Sequence, residues 1–301
     1  MMCAATTTAT PWHGVLRHDE PLARHTVWAI GGPADSFYEP VDLADLCRFV
    51  ADRDAREPLC WLGLGSNILV RDAGIRGTVI HTAGCLRSLE LRGSNTVYAE
   101  AGVACAKLAK FCARNRLGGC EFMAGIPGTV GGALAMNAGA FGGETYAVVS
   151  RVLSLGRAGG LRWRPGSAFK PAYRHVEIPP DEWFVAAEFE LADQPRPDTE
   201  SAIRELLRKR AETQPTGLRS CGSVFRNPPG EHAARLIESA GLKGHRIGAA
   251  VISDKHANFI INSGAASAAD VEALIEHIIE RVEACHGIRL RPEVCILGEA
   301  S

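Results

Sequence analysis

Residues 122 to 143 run for 22 positions without a charged side chain, and seven of those positions are glycine. A stretch of this length can cross a bilayer as a helix. Here the glycines, Pro127, Asn137 and the scarcity of long aliphatic side chains argue against a span, because such a helix would pack poorly and expose its backbone. The stretch reads instead as loops and tight turns. Gly125, Ile126, Pro127, Gly128 and Thr129, followed by Gly131 and Gly132, present nearly bare backbone, and the run through Asn137 and Gly139 keeps side chains small or neutral. A flat ring system or a diphosphate can approach such backbone closely. Tight packing of helix on strand also selects small residues, so this stretch alone leaves both readings open.

A second glycine-rich segment, Gly63-Leu64-Gly65-Ser66-Asn67, begins like the dinucleotide fingerprint Gly-x-Gly-x-x-Gly. Position 68 is Ile rather than leading to the third glycine, and Ile68-Leu69-Val70 continues as a strand, so no helix dipole faces an anion there. What remains is a strand-turn-strand nest. Glycines allow positive φ, successive amides converge, and Ser66 and Asn67 add side-chain donors. A Gly-Ser-Asn turn can also be no more than a turn. The two segments together favour a nucleotide cofactor.

The 301 residues exceed one small core and suggest two domains. We expect an N-terminal extension over 1–20, a cofactor domain over 21–194 in two subdomains (21–82 and 83–194), and a C-terminal domain over 198–301. The first part reads as α+β. His25 to Pro40 is a strand or hairpin interrupted at Gly31-Gly32-Pro33, and Asp42 caps a helix that turns Leu46, Phe49 and Val50 inward. Cys105 lies in a helix expected over Val103 to Arg116. Gln194-Pro195-Arg196-Pro197 reads as a linker. Beyond it helices dominate, the clearest over Ser267 to His286. There Ser267 and Asp270 form a capping pair, Val271, Leu274, Ile275, Ile278 and Val282 make a core stripe, and Gly287 stops the helix.

A formal charge of -1 gives no global attraction to nucleic acid or anionic membrane, so any polyanion must meet a local basic site. The ten cysteines lie singly, without zinc spacing, as buried thiols of a reducing compartment would. No metal is expected. The N-terminus shows no secretory pattern, so a cytoplasmic location is expected.

Three residues in unusual company could do chemistry: Arg174 after Tyr173, Ser223 in Cys221-Gly222-Ser223-Val224-Phe225-Arg226-Asn227-Pro228, and Glu293 after Pro292. Each also has an ordinary reading, as a salt bridge, a turn and an edge strand. No Ser-His-Asp set or Gly-x-Ser-x-Gly elbow supports Ser223 as a nucleophile. A hydroxyl is a very weak acid and can donate its proton only to a strongly basic carbanion or enolate. That points to reduction of an activated double bond, with Arg174 on a substrate carboxylate and Glu293 stabilising the enolate.

With Gly31-Gly32-Pro33-Ala34-Asp35, the two glycine segments, Met136-Asn137-Ala138-Gly139-Ala140, Tyr173-Arg174, the Ser223 segment and Pro292-Glu293-Val294 in this order, the chain resembles the UDP-N-acetylenolpyruvoylglucosamine reductases from about His25 to Gly298. The resemblance implies an FAD-binding domain of the vanillyl-alcohol-oxidase/PCMH type and a smaller α+β substrate domain. It implies NADPH as co-substrate, non-covalent FAD, and a UDP-sugar whose enolpyruvyl group is reduced. By motif match Ser223 is the proton donor, while Arg174 and Glu293 stabilise the enolate. Tyr173, Arg226 and Asn227 fall near the UDP-sugar, with Lys209 and Arg210 as further candidates for its diphosphate. Only His175 to Glu182 separates the Tyr-Arg pair from the next strand, as in family members lacking an extra substrate-covering loop. Two positions depart from the family's habit: Val176, where Ser is common, and Ala172, where Gly or an aromatic is common. A monomer without an obligate protein partner is expected. Another flavin oxidase on the same domain, or a UDP-sugar-binding protein without catalysis, are the alternatives.

Overall fold

The structure, a computed structural model, describes residues 11–192 and 199–300. The expected linker Gln194 to Pro197 lies outside them, as does the start of the expected N-terminal extension. The described part of that extension carries a strand. Its strand β1 (Val15–Pro21) pairs antiparallel with β2 (Pro33–Glu39). The sequence reading of a strand over His25 to Pro40 therefore holds only for its second half. His25 to Gly32 is irregular because Trp28 and Ile30 leave the sheet to fill a distant core.

α1 (Leu43–Asp52) starts at Asp42, whose carboxylate accepts from Asp45 N at 2.7 Å, and buries Leu46, Phe49 and Val50. β3 (Leu59–Leu62), β4 (Ile68–Val70) and β5 (Ile75–His81) follow, and the first sheet has the order β1-β2-β5-β3, so β3 is an edge strand. The second sheet is antiparallel throughout. It is built from β6 (Leu89–Arg92) and β7 (Thr96–Glu100), and later β10 (Val149–Gly156), β11 (Leu161–Pro165) and β12 (Glu182–Glu190), in the order β11-β10-β12-β7-β6. Between these strands run α2 (Cys105–Arg114), α3 (Val130–Met136) and the two-residue strands β8 (Gly139–Ala140) and β9 (Gly143–Glu144).

α3 corrects the expectation of loops throughout the uncharged stretch. Thr129 caps the helix, and Val130, Ala133 and Leu134 give it a buried side. Gly131 serves close approach: a Cβ there would sit 2.9 Å from that of Ala101. In a first helical turn anchored by tertiary packing, the low helix propensity of Gly is offset by burial. Among the described residues no helix is long and apolar enough to cross a membrane.

α4 (Thr199–Thr213), expected to open the C-terminal domain, packs on α2 and on the 3-10 turn Glu121–Gly125, and buries Ile203 in the core of the second sheet. The last core gathers α5 (Ala233–Ser239), the small sheet of β13 (Arg246–Ile247), β14 (Ala250–Ile252) and β15 (Ile260–Asn262), and α6 (Ala268–His286). Trp28 is buried in it, its indole N–H donating to Ile260 O at 2.9 Å. The Ser267–Asp270 capping box, the buried stripe and the left-handed Gly287 all form as read. The final strand β16 (Cys295–Leu297) returns to pair parallel with β4.

The segment after β4 also grips α6 from outside. Asp72 accepts from Ala268 N at 2.9 Å and Ala269 N at 3.1 Å, and the Arg71 guanidinium holds Glu272 through two nitrogens. A carboxylate on the free amides of a helix N-terminus is a strong arrangement. Asp72→Ala should lower unfolding free energy by about 0.5–2 kcal/mol, with Asp72→Asn falling between, as measured by urea denaturation.

Candidate active site

The two glycine-rich segments meet, the glycine backbone of each against a hydroxyl side chain of the other. A Cβ on Gly63 would lie 2.5 Å from Thr129 Oγ1, and one on Gly128 would lie 3.3 Å from Ser66 Oγ. Gly65 has φ +60° and would carry a Cβ 2.4 Å from His25 O, so both its conformation and its neighbour require glycine. Among the described residues the backbone N–H groups of Gly65, Ser66, Asn67, Gly128 and Thr129 donate to no protein acceptor. Unpartnered amides from two facing turns form a cradle suited to an anion. They line a cavity of about 820 Å³, within the range of about 300–1,000 Å³ usual for ligand sites.

Glu293, Arg174 and Ser223 line the same cavity from three distant parts of the chain. Glu293 precedes β16 and is held by its backbone: Glu293 N donates to Val224 O at 2.7 Å, and Asn67 Nδ2 donates to Glu293 O at 3.1 Å. The same Val224 is fixed from its other side by Asn258, whose carbonyl accepts Val224 N and whose amide spans the backbone of Phe225. Ser223 is thereby presented after the left-handed Gly222, and its hydroxyl has no hydrogen-bond partner among the described residues.

Arg174 occupies the second position of the two-residue turn between Ala172 and His175, with φ +54°. A non-glycine residue there costs about 1–3 kcal/mol, which the surroundings must offset. They do so at both ends of the side chain. Arg174 Nε lies 2.7 Å from Glu293 Oε1, and an Nη donates to Gly139 O at 3.0 Å. Burial pushes the Glu293 carboxyl above its ordinary range, with Arg174 and then Arg226 pulling it down. The pair is thus a carboxyl with a raised proton affinity beside a fixed cation.

Not every expected site residue reaches the cavity. Gly63, Gly65, Ser66, Asn67, Gly125, Ile126, Pro127, Gly128, Thr129, Gly132 and Gly139 line it, but Asn137 does not. Asn137 is a bracket instead: buried at the left-handed end of α3, it donates to Glu144 and to Ala172 O and accepts from Tyr146 N, which leaves its amide no ligand-facing role. Tyr173 is exposed beside the Arg174 guanidinium, and Asn227 accepts from Ala233 N to cap α5; neither lines the cavity. Arg226 does not line the cavity and acts on Glu293 only through its charge. Of the two basic candidates on α4, Arg210 reaches the cavity and Lys209 faces Glu205 in solvent. Sequence reasoning missed Asn258 and Phe141, whose ring lies 2.5 Å from where a Gly125 Cβ would be. Neither carried a signal, since both act through residues remote in the chain.

Residues 34–157 match the model of the FAD binding domain. Fold and site define a flavoprotein, an α+β FAD-binding domain joined to a smaller C-terminal α+β domain. Residues 214–297 match the model described as UDP-N-acetylenolpyruvoylglucosamine reductase, C-terminal domain. The chain is 57% identical over 297 residues to UDP-N-acetylenolpyruvoylglucosamine reductase of Methylococcus capsulatus, covering 99% of this chain and 98% of the relative. It is 57% identical to that of Alkalilimnicola ehrlichii, covering 95% and 96%. The crystal structure of UDP-N-acetylenolpyruvylglucosamine reductase from Thermus caldophilus superposes with a TM-score of 0.80 at 32% identity, covering 95% of this chain and 99% of that one. This chain belongs to the UDP-N-acetylenolpyruvoylglucosamine reductase family.

The residues present fit FAD, since two facing turns leave the backbone amides of Gly65, Ser66, Asn67, Gly128 and Thr129 unpartnered on the cavity wall among the described residues. Gly63→Ala should force the two turns apart and weaken FAD retention at least about tenfold, read by flavin absorbance after dialysis. For Glu293 the sign is set by its raised folded value. Stability present at acid pH is lost as pH rises from the ordinary carboxylate range through that value, because ionisation is harder in the folded state. Glu293→Gln should abolish this loss, so that the variant gains on the parent as pH rises toward neutrality in urea titrations.

Proposed function

We propose that this chain is an NADPH-dependent flavoenzyme that reduces the enolpyruvyl group of UDP-N-acetylglucosamine enolpyruvate, giving UDP-N-acetylmuramate for peptidoglycan precursor synthesis. The observation that carries the reading is the convergence of Arg174, Glu293 and the unpartnered Ser223 hydroxyl on the cavity lined by both glycine turns. FAD held by the two glycine turns would supply two-electron chemistry for the carbon-carbon double bond, with NADPH as the reductant. The cofactor lies in the N-terminal part of the chain, about 21–194, and the substrate is carried largely by residues of the C-terminal part, about 198–301.

The side chains then divide the remaining work. Arg174, anchored on Gly139 O and Glu293, offers its charge to the substrate carboxylate, where negative charge grows as the enolate forms. Glu293, its carboxyl kept protonated more readily by burial, donates a hydrogen bond to the enolate oxygen. Ser223 gives its proton to the carbon next to the reduced one, and the resulting alkoxide is reprotonated from water. Arg210 faces the substrate diphosphate. A nucleotide-sugar substrate and NADPH accord with a cytoplasmic enzyme.

Anaerobic addition of NADPH should bleach the flavin, and the enolpyruvyl UDP-sugar should restore its colour. Ser223→Ala should slow the second phase by about 10²–10⁴ while leaving the first intact. Equal loss of both phases would remove Ser223 from the proton-donor role.

A further inference from the structure

Two histidines that do not line the cavity back the glycines of the first turn. The backbone of His25 closes on Gly65, since a Cβ there would lie 2.4 Å from His25 O and Val27 N donates to Gly65 O at 3.2 Å. His81 closes on Gly63. As the last residue of β5 it pairs with Leu62, which makes Gly63 the next residue past the pairing. The Gly63 backbone favours the charged form of the His81 ring, as a carbonyl accepting from an imidazole nitrogen does. The two imidazoles meet edge to face with centroids 5.2 Å apart, and Phe37 packs against both.

Each ring is tied to a carboxylate of the same sheet. His25 Nε2 lies 2.8 Å from Glu20 Oε1, and His81 Nδ1 lies 3.0 Å from Glu39 Oε1, while Arg17 donates to Glu39 at 2.7 Å. The ionisable groups facing His81 are thus Glu39 with Arg17, and His25 with Glu20; Cys85 stands beside the Glu39–Arg17 pair. Burial holds the His81 imidazole below its ordinary range, Glu39 pulls it back up, and His25 adds to the lowering. Only the imidazolium has a proton for both Glu39 and Gly63. An anion on the amides of Gly65 to Asn67 brings negative charge to the turn that His81 backs, and such a charge favours that form. Resting on the flavin reading above, we propose that His81 is a positioning residue of the cofactor turn, tying Gly63 to Glu39 and taking up a proton from solvent when the cofactor's pyrophosphate binds.

The test titrates the full-length protein, stripped of flavin, with FAD and with riboflavin, which carries the ring but no phosphate, following flavin fluorescence. An anion that raises the proton affinity of a nearby imidazole binds more tightly on the acid side of its titration. FAD affinity should therefore rise about tenfold from about pH 8 to about pH 5.5, while riboflavin affinity stays level. His81→Gln should flatten the FAD profile and weaken FAD mainly at the acid end. His25→Gln should keep the slope and move it to higher pH, because His25 disfavours charge on His81. A level FAD profile in the parent, the same slope with riboflavin, or the parent's slope in His81→Gln would overturn the assignment while FAD binding stands. Failure of FAD to bind at any pH would overturn the flavin reading and this inference together.

Discussion

The short parallel pairing of β16 on β4 is the contact on which the site depends. β4 begins directly after the first glycine turn, so the strand that returns from the far end of the chain is set against the cradle itself. Asn67 makes the join: its carbonyl accepts Cys295 N at 2.9 Å, and its side chain holds Glu293 O across a separation of 226 residues. Arg71 N then donates to Leu297 O, and Arg71 and Asp72 reach past β16 to the start of α6. One stretch of chain, Gly63 to Asp72, thereby lines the cofactor cavity, carries the strand that positions Glu293, and docks the C-terminal helix. Trp28 reinforces the same union from the other side, with Asn262 donating to its carbonyl.

Opposing demands meet at Arg174. Its left-handed backbone is unfavourable, yet the turn aims the guanidinium at Glu293. Asn137 helps to maintain the turn by donating to Ala172 O, a backbone contact that any residue at 172 could make. Val176 is buried in the core of the second sheet, anchoring the chain just beyond the turn. Ala172 and Val176, the two departures from the family's habit, thus leave the Arg174 geometry supported by backbone bonds and packing rather than by their own polar groups.

Much of the local structure was legible in sequence because it depends on near neighbours. Asp42 and the Ser267–Asp270 pair bond to amides within a single turn, and the α6 stripe follows helical period. α3 was not legible, since a helix containing Gly131 and Gly132 exists only where Ala101 and the capping Thr129 hold it. The surroundings of Asn137 were not legible for a related reason. An amide in a glycine-rich run looks available to a ligand until the carbonyl of Ala172, distant in the chain, is known to occupy it.

By itself the sequence determined the α+β character, the glycine positions where backbone must come close, and the residue types able to protonate and stabilise an enolate. These follow from local sterics and side-chain chemistry, which travel with the residues. Only the tertiary structure decided that the two glycine turns face each other, that Arg174 and Glu293 are in contact while Arg226 does not line the cavity, and that the edge of β3 is open. Those are relations between segments far apart in the chain, and packing and strand pairing set them.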